Sequence, residues 1–338
     1  MDKQKIAVFY TGGTISMKKG KGGVDVQERN PLDIEMDAFL EAHGIEILQN
    51  QVFGKAIPSP HMTLPHMLTL RNAVMQAAKD KSIDGVVITH GTDTMEETAY
   101  FLDITTRLDI PVVLTGSMRS PDAVGSDSLS NYQAALQVAA APEYFDSVGV
   151  LVVLGDEIHP ARDVTKTHST SLDTFKSPPY GPVGFLTTSG PCIRRYPPVR
   201  GKPYDVLGME KDVLLIRATA GMQTSIFDAL EALAEKQGSY PFGGLVVEAF
   251  GCGNIPPALV EPLKRVAARG LPIVLATRCP TGRVEPVYSY PGGAGNLRSE
   301  IPAIVFSAGL SGVKSRIKLA VLINAGLKPS EIADAFTE

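Results

Sequence analysis

Cysteine is scarce in this chain, which has only Cys192, Cys252 and Cys279 among 338 residues. Because the three are odd in number and widely separated, they predict neither a disulfide framework nor a zinc site built from paired cysteines. Such a sequence suits a reducing compartment, and its length allows a large hydrophobic core without disulfide help.

Long apolar runs are also lacking. No run approaches the roughly 20 residues that cross a bilayer, and the apolar segment after Met1-Asp2-Lys3-Gln4-Lys5 is too short for the core of a secretory signal. We therefore expect a cytoplasmic protein without a membrane partner. A net charge of −4 provides no general attraction for phosphate backbones, so no nucleic-acid partner is expected.

Five common catalytic or binding motifs are missing. The glycine turn after the first predicted strand lacks the lysine of a Walker loop and the spacing of a dinucleotide site, and no G-x-S-x-G elbow occurs. The histidines are scattered without an HExxH motif or a Cys/His cluster; they are His43, His61, His66, His90, His159 and His168. The sequence thus predicts neither a metal nor a cofactor.

What is present is an alternation of strand and helix patterns, which is typical of a doubly wound α/β sheet. The length suggests two domains of roughly 150 residues each. In the first, strands are predicted at residues 6–10, 83–88, 110–114 and 148–154. Helices are predicted at residues 31–43, 65–79, 95–106 and 127–141.

The second domain follows a segment rich in proline and glycine. Residues 172–209 are predicted to be irregular and to end in an interdomain linker. Strand patterns then resume at residues 213–216, 244–247, 273–275 and 303–306. We predict a larger N-terminal doubly wound domain at 1–195, a linker at 196–211, and a smaller C-terminal parallel α/β domain at 212–338.

The central stretch is residues 89–98, with the sequence THGTDTMEET, where a strand ends and a helix begins. In an open α/β sheet, ligands bind at such strand ends, and the N–H groups of the helix favour an anion. Thr92 and Asp93 are therefore candidates for catalysis or substrate binding. A helix-capping box, formed by Thr94 with Glu97 or by Asp93 with Glu96, is an alternative interpretation.

A second candidate stretch is the turn Thr11-Gly12-Gly13-Thr14-Ile15, which follows the first predicted strand. Paired glycines allow the backbone to approach a ligand closely. Residues 18–30 are rich in glycine and lysine and are expected to form a mobile loop that could cover the site.

If the two strand ends are neighbours, the hydroxyls of Thr14 and Thr92, the carboxylate of Asp93 and the ammonium of Lys166 converge on one cleft. A threonine becomes a nucleophile only where a base removes its proton, and this set includes side chains that could act as that base. Ordinary roles remain open, since Thr14 could bind its own backbone and Lys166 could be a surface charge.

The motifs that carry these residues resemble those of the bacterial-type L-asparaginases, within the asparaginase/glutaminase superfamily. The resemblance covers essentially the whole chain. It includes the glycine turn with Thr14, residues 85–99, the segment Ala161-Arg162-Asp163-Val164-Thr165-Lys166, residues 115–119 (TGSMR) and residues 251–254 (GCGN).

This resemblance implies a role for each matching residue. Thr14 corresponds to the nucleophile that attacks the side-chain amide, while Thr92, assisted by Lys166, activates the water that hydrolyses the acyl-enzyme. Asp93 and Ser59 are expected to bind the α-ammonium and α-carboxylate, and backbone N–H groups at the Thr92 turn to stabilise the oxyanion. The other residues expected to bind substrate are Gly13, Gly91, Asn254 and Glu300, the last two from a neighbouring subunit.

Two positions depart from the family pattern. Family members commonly carry a tyrosine in the loop near the nucleophile, whereas this chain has none between Tyr10 and Tyr100. Pro60 and His61 follow Ser59 where many relatives carry a polar or acidic residue. The first departure leaves the proton acceptor for Thr14 unassigned.

The predicted function is hydrolysis of L-asparagine to L-aspartate and ammonia by a homotetramer or homodimer. Alternatives are a mixed glutaminase/asparaginase acting also on L-glutamine, and a catalytically silent amino-acid-binding protein of the same fold. The ammonia-generating subunit of a tRNA-dependent amidotransferase shares the same residues. That class usually has an extra N-terminal domain, which we do not expect here because the catalytic turn begins at Thr11.

Overall fold

The computed structural model describes residues 3–20, 23–26, 36–141, 148–195 and 201–337. It divides into two compact units, an N-terminal unit (Met1–Pro203) and a C-terminal unit (Tyr204–Glu338). Among the described residues, none of the helices has the length and hydropathy to pass through a bilayer. The predicted linker at 196–211 begins outside the described residues, and its bounds stay a prediction.

The N-terminal unit alternates strands and helices along most of its length. Its strands are β1 (Gln4–Tyr10), β2 (Met17–Gly20), β3 (Gly23–Val26), β4 (Ile45–Gln51), β5 (Gly85–Thr89), β6 (Val112–Thr115), β7 (Val150–Leu154), β8 (Glu157–Pro160), β9 (Thr165–Lys166), β10 (Phe175–Lys176), β11 (Gly184–Thr187) and β12 (Gly190–Ile193). Its helices are α1 (Asp37–His43), α2 (Leu64–Ala77), α3 (Met95–Thr105) and α4 (Ser128–Ala139).

Eight of these strands form one mixed sheet in the order β12-β11-β8-β7-β6-β5-β1-β4. The five strands from β7 to β4 are parallel, as expected of a doubly wound sheet. All residues of β5, β6 and β7 are buried, which explains their continuous Val/Ile/Leu runs. The carboxyl ends of β1 and β5 therefore lie side by side, with Tyr10 in register with Thr89.

The predicted irregular segment at 172–209 is wrong in part. Within it, β11 and β12 form an antiparallel hairpin that extends the sheet through β8. Their burial is mixed, since Phe185 is exposed whereas Gly184 is buried. A half-exposed edge hairpin lacks the continuous apolar run that identified the central strands, so its signal was weak.

The predicted loop at 18–30 also differs from the structure. Within it, β2 and β3 pair antiparallel, with Met17 opposite Val26. Residues 21–22 and 27–30 lie outside the described residues, as do residues 31–35 of the helix predicted at 31–43, whose described part is α1. A role as a cover over the site stays a prediction.

The C-terminal unit contains a four-stranded parallel sheet in the order β13-β14-β15-β16. The strands are β13 (Val213–Arg217), β14 (Gly244–Ala249), β15 (Ile273–Thr277) and β16 (Ile304–Phe306). The helices are α5 (Ser225–Gln237), α6 (Val260–Ala268), α7 (Ala294–Glu300), α8 (Gly312–Asn324) and α9 (Pro329–Ala335). The predicted fold class, a larger N-terminal α/β domain with a smaller parallel C-terminal one, is confirmed.

Candidate active site

The candidate site lies where β1 and β5 end. The backbone N–H and the hydroxyl of Thr11 both donate to the carbonyl of Thr89, at 3.1 and 2.8 Å, and the N–H of Ile57 donates to the carbonyl of Thr11 at 2.8 Å. These bonds join three chain segments at one edge of the sheet. The following turns, which carry Thr14 and Thr92, begin at this junction.

Glycines make the close approach of these segments possible. A Cβ on Gly13, which has φ of 90°, would lie 2.4 Å from the backbone nitrogen of Gly91. A Cβ on Gly91 would lie 2.5 Å from the Ser59 hydroxyl oxygen. Any side chain at either position would force the segments apart. Gly13, Gly91 and Ser59, all predicted to bind substrate, are therefore in contact.

Thr14 follows directly in the chain. It begins the 3₁₀ turn Thr14–Ser16 and is half-buried, and its carbonyl accepts the N–H of Met17. The contact between Gly13 and Gly91 therefore brings the residue before Thr14 against the residue before Thr92. The two threonines come from strand ends that are far apart in the sequence and adjacent in the sheet.

Lys166 connects to the second threonine. Its Nζ donates to Thr92 Oγ1 at 2.9 Å and to Asp93 Oδ1 at 2.7 Å. The Lys166 side chain is 15% exposed, whereas that of Asp93 is 59% exposed. The ammonium is thus enclosed, and the carboxylate beside it faces the solvent, where it can meet a ligand.

Thr94 occupies the N-cap position of α3, but its side chain makes no capping hydrogen bond, which argues against the helix-cap interpretation. The Thr94 hydroxyl donates to the carbonyl of Ser59 at 2.9 Å, and Glu96 reaches β9, where its Oε1 accepts from the Thr165 hydroxyl and the Lys166 N–H. Asp93 pairs with Lys166. These polar residues therefore connect separate segments around the site rather than capping α3.

The buried side chain of His90 stabilises the turn that carries Gly91 and Thr92. It is fully buried, and burial lowers its pKa to about 4, opposed by the hydrogen bond of Nδ1 to the carbonyl of Gly91 at 2.8 Å. Since a carbonyl only accepts, the neutral ring carries its proton on Nδ1, and Nε2 accepts from the Thr98 hydroxyl at 3.0 Å. His90 thus orients the Gly91 peptide. A lone histidine among scattered ones gave no indication of this role in the sequence.

The two remaining candidates belong to the C-terminal unit. Asn254 follows β14, and its Oδ1 accepts the N–H of Ala294 at 3.4 Å. Glu300 is the last residue of α7, and its carboxylate accepts from Asn296 Nδ2 and from Lys264 Nζ, both at 2.5 Å. The bond from Lys264, and to a smaller extent the bond from Asn296, lowers the pKa of Glu300. In the part of the chain that the structure describes, acidic, histidine and cysteine side chains form no cluster of three suited to a metal ion.

Comparisons with known proteins match both units. Residues 5–197 match the family model described as "Asparaginase, N-terminal", and residues 212–336 match the "Glutaminase/Asparaginase C-terminal domain".

Relatives align over most or nearly all of the chain. A probable L-asparaginase of Deinococcus radiodurans is 37% identical over 99% of this chain and 97% of its own length. A glutaminase-asparaginase of Pseudomonas fluorescens biotype A is 30% identical over 82% of this chain and 76% of its own length. The crystal structure of a probable cytoplasmic L-asparaginase from Campylobacter jejuni has a TM-score of 0.84 and 29% identity, covering 99% of this chain and 100% of its own. The chain belongs to the bacterial-type L-asparaginase family.

Proposed function

We propose that this protein hydrolyses L-asparagine to L-aspartate and ammonia through an acyl-enzyme on Thr14. The observation that carries the proposal is the position of Lys166 Nζ, within hydrogen-bond distance of both Thr92 and Asp93 beside the turn that Gly13 contacts. An enclosed cation, a hydroxyl and an exposed carboxylate at a strand end suit a substrate with both an ammonium and an amide. The names of the relatives support the same reaction.

In the first step, the Thr14 hydroxyl attacks the side-chain amide carbon. The new C–O bond forms first and gives a tetrahedral intermediate, in which the C–N bond then breaks, and the hydroxyl proton leaves with the nitrogen as ammonia. The intermediate carries an oxyanion, which backbone N–H groups at the turn between Gly91 and Thr92 stabilise. Losing one such donor typically lowers the rate by about 10²- to 10³-fold.

In the second step, water hydrolyses the ester on Thr14. Thr92 binds and orients this water, and the contact with Lys166 fixes the direction of the Thr92 hydroxyl. Because Lys166 donates to Thr92 Oγ1, the hydroxyl proton of Thr92 points away from Lys166 Nζ. One proton of the water returns to the Thr14 oxygen, the oxygen of the water becomes part of the aspartate side-chain carboxylate, and the second proton is released.

Asp93 and Ser59 bind the amino-acid part of the substrate. Asp93 uses Oδ1 for Lys166, which leaves Oδ2 to accept from the α-ammonium. Ser59 is buried and its carbonyl is held by Thr94, so its hydroxyl has a fixed position against Gly91, suited to the α-carboxylate. Charge-assisted bonds of this type are about twice as strong as neutral ones.

We further propose that Asn254 and Glu300 complete the site of a neighbouring subunit in a homodimer or homotetramer. Glu300 is partly exposed beside Lys264, so a second chain can reach its carboxylate. A cytoplasmic location is also proposed, in line with the name of the Campylobacter relative. L-Glutamine is expected to be a poorer substrate, although one extra methylene changes binding by only about 1 to 3 kcal/mol.

The test is ammonia release from L-asparagine, L-glutamine and D-asparagine by the parent protein and by Thr14→Ala. We expect the highest rate with L-asparagine and near-complete loss in the variant. Thr188→Ala, in the exposed turn between β11 and β12 at the far end of the sheet, is the matched control and should keep the parent rate. Equal rates for Thr14→Ala and the parent would remove Thr14 from the mechanism. Binding of aspartate without ammonia release would indicate an amino-acid-binding protein instead.

A further inference from the structure

Glu96 is a buried carboxylate to which the proposed mechanism gives no role. It lies in the first turn of α3 and is 9% exposed. Its Oε1 accepts from the Thr165 hydroxyl at 3.1 Å and from the Lys166 backbone N–H at 3.3 Å. These two bonds connect α3 to the short strand β9.

The other oxygen of this carboxylate, Oε2, differs from Oε1. Within the described part of the chain, Oε2 is buried without a hydrogen-bond partner. Leaving a buried acceptor unsatisfied destabilises a fold by about 1 to 3 kcal/mol. A carboxylate with only one oxygen paired among the described residues is a candidate for a role beyond stability.

The position of β9 depends on few contacts. The strand has only two residues, Thr165 and Lys166, and it pairs with the equally short β10 through Phe175 and Lys176. Lys166 projects from this strand to Thr92 and Asp93, which precede α3 in the chain. Glu96, at the start of α3, therefore binds the backbone of Lys166. The side chain of Lys166 in turn binds Thr92 and Asp93, just before α3.

We infer that Glu96 is a positioning residue, which fixes the backbone of Lys166 so that Nζ meets the Thr92 hydroxyl. The inference rests on the proposed function and extends it, because it assigns Glu96 to the second, water-dependent step. A shift of about 1 Å in a catalytic group lowers rates by as much as about 100-fold. Loss of the Glu96 contacts should therefore slow hydrolysis of the acyl-enzyme more than its formation.

The experiment compares Glu96→Ala, Glu96→Gln and Thr165→Val with the parent. Glutamine keeps an oxygen that can accept from the Lys166 N–H, whereas alanine removes it. Thr167→Val is the control for Thr165→Val, because the Thr167 hydroxyl in the same segment donates to the carbonyl of Thr174 rather than to Glu96. Each protein is assayed for kcat and KM and, after acid quenching, for the aspartyl adduct on Thr14.

For Glu96→Ala and Thr165→Val, we expect kcat to fall about 10- to 100-fold without a rise in KM, together with accumulation of the adduct. Glu96→Gln should have a kcat within a few-fold of the parent value. The control Thr167→Val should have the same kcat as the parent. Unchanged kcat in Glu96→Ala, or equal losses in Glu96→Ala and Glu96→Gln without adduct, would overturn the inference.

A second measurement does not depend on activity. An amine-reactive reagent should label Lys166 several-fold faster in Glu96→Ala than in the parent, relative to the exposed Lys3 in the same sample. Unchanged labelling would contradict the positioning role even if the parent released no ammonia. An inactive parent with faster labelling in the variant would overturn the proposed function alone.

Discussion

At the scale of single residues, the site depends on groups that the sequence pattern did not single out. His90 lies two residues before Thr92 in the sequence, yet its function depends on the Gly91 carbonyl and on Thr98, which comes eight residues later. Such contacts depend on how the chain turns after β5. The glycine turn and the threonines could be recognised from their residue types, because glycine and hydroxyl side chains at strand ends have few common uses.

The neutral state of His90 predicts a pH dependence of stability. Its pKa is lowered from 6.5 to about 4 in the folded protein, so below about pH 6.5 the unfolded chain takes up a proton that the folded chain does not. The free energy of unfolding should therefore fall as the pH decreases from 6.5 toward 4, by at most about 1.4 kcal/mol per pH unit from this group. Urea unfolding of the parent and of His90→Asn at several pH values in this range measures how the free energy of unfolding changes with pH. Equal slopes for the two proteins would contradict the prediction.

A second prediction at this scale concerns Gly13. Gly13→Ala should abolish most of the activity and destabilise the protein, because the new Cβ would lie 2.4 Å from Gly91 N. Gly44→Ala is the control: Gly44 also has positive φ, 62°, but a Cβ there meets nothing within 4 Å among the described residues. Its effect should be about 1 to 2 kcal/mol of backbone strain with normal activity. Ammonia release and thermal unfolding are measured for both variants. Equal losses of activity and stability in Gly13→Ala and Gly44→Ala would show that the close packing at Gly13 is unimportant.

At the scale of elements, burial decided which parts of the fold could be predicted. The wholly buried β5, β6 and β7 have continuous apolar runs, so their existence follows from the sequence. The two-residue strands β9 and β10 have no such signal, and β9 is positioned by a glutamate about 70 residues earlier in the chain. The start of α3 was ambiguous because threonine and acidic residues serve equally in caps and in binding sites.

The contact between α3 and the Ser59 segment gives a third prediction. Thr94→Val removes the hydroxyl that holds the Ser59 carbonyl, so the affinity for the substrate carboxylate should decrease by the value of about one hydrogen bond, about 1 kcal/mol. KM for L-asparagine should rise several-fold, with a smaller change in kcat. Thr69→Val is the control, since the Thr69 hydroxyl donates only within α2, to the Pro65 carbonyl. A loss confined to kcat would place Thr94 in the chemical steps instead.

At the scale of the whole molecule, the sequence predicted the fold class, and it assigned the candidate residues to two domains. Thr14, Ser59, Thr92, Asp93 and Lys166 lie in the N-terminal unit, whereas Asn254 and Glu300 lie in the C-terminal unit. The family resemblance assigns the last two to the site of another subunit, which periodicity and spacing could not indicate because both describe only local structure.

The oligomer prediction follows from this division. Sedimentation should show a dimer or tetramer, and Asn254→Ala should lower activity without dissociating it. Gln237→Ala is the control, because Gln237 is an exposed amide at the end of α5 in the same unit, and this variant should keep the parent activity. A fully active monomer would remove Asn254 and Glu300 from the site.

The most direct test of the account is mass spectrometry of the acid-quenched reaction with L-asparagine. Thr92→Val should form the acyl-enzyme but hydrolyse it slowly, because the water loses its hydroxyl partner while Thr14 remains intact. We predict one aspartyl group on the peptide that contains Thr14, more abundant in Thr92→Val than in the parent and absent from Thr14→Ala. An aspartyl group on another residue, or turnover by Thr14→Ala at the parent rate, would contradict the account.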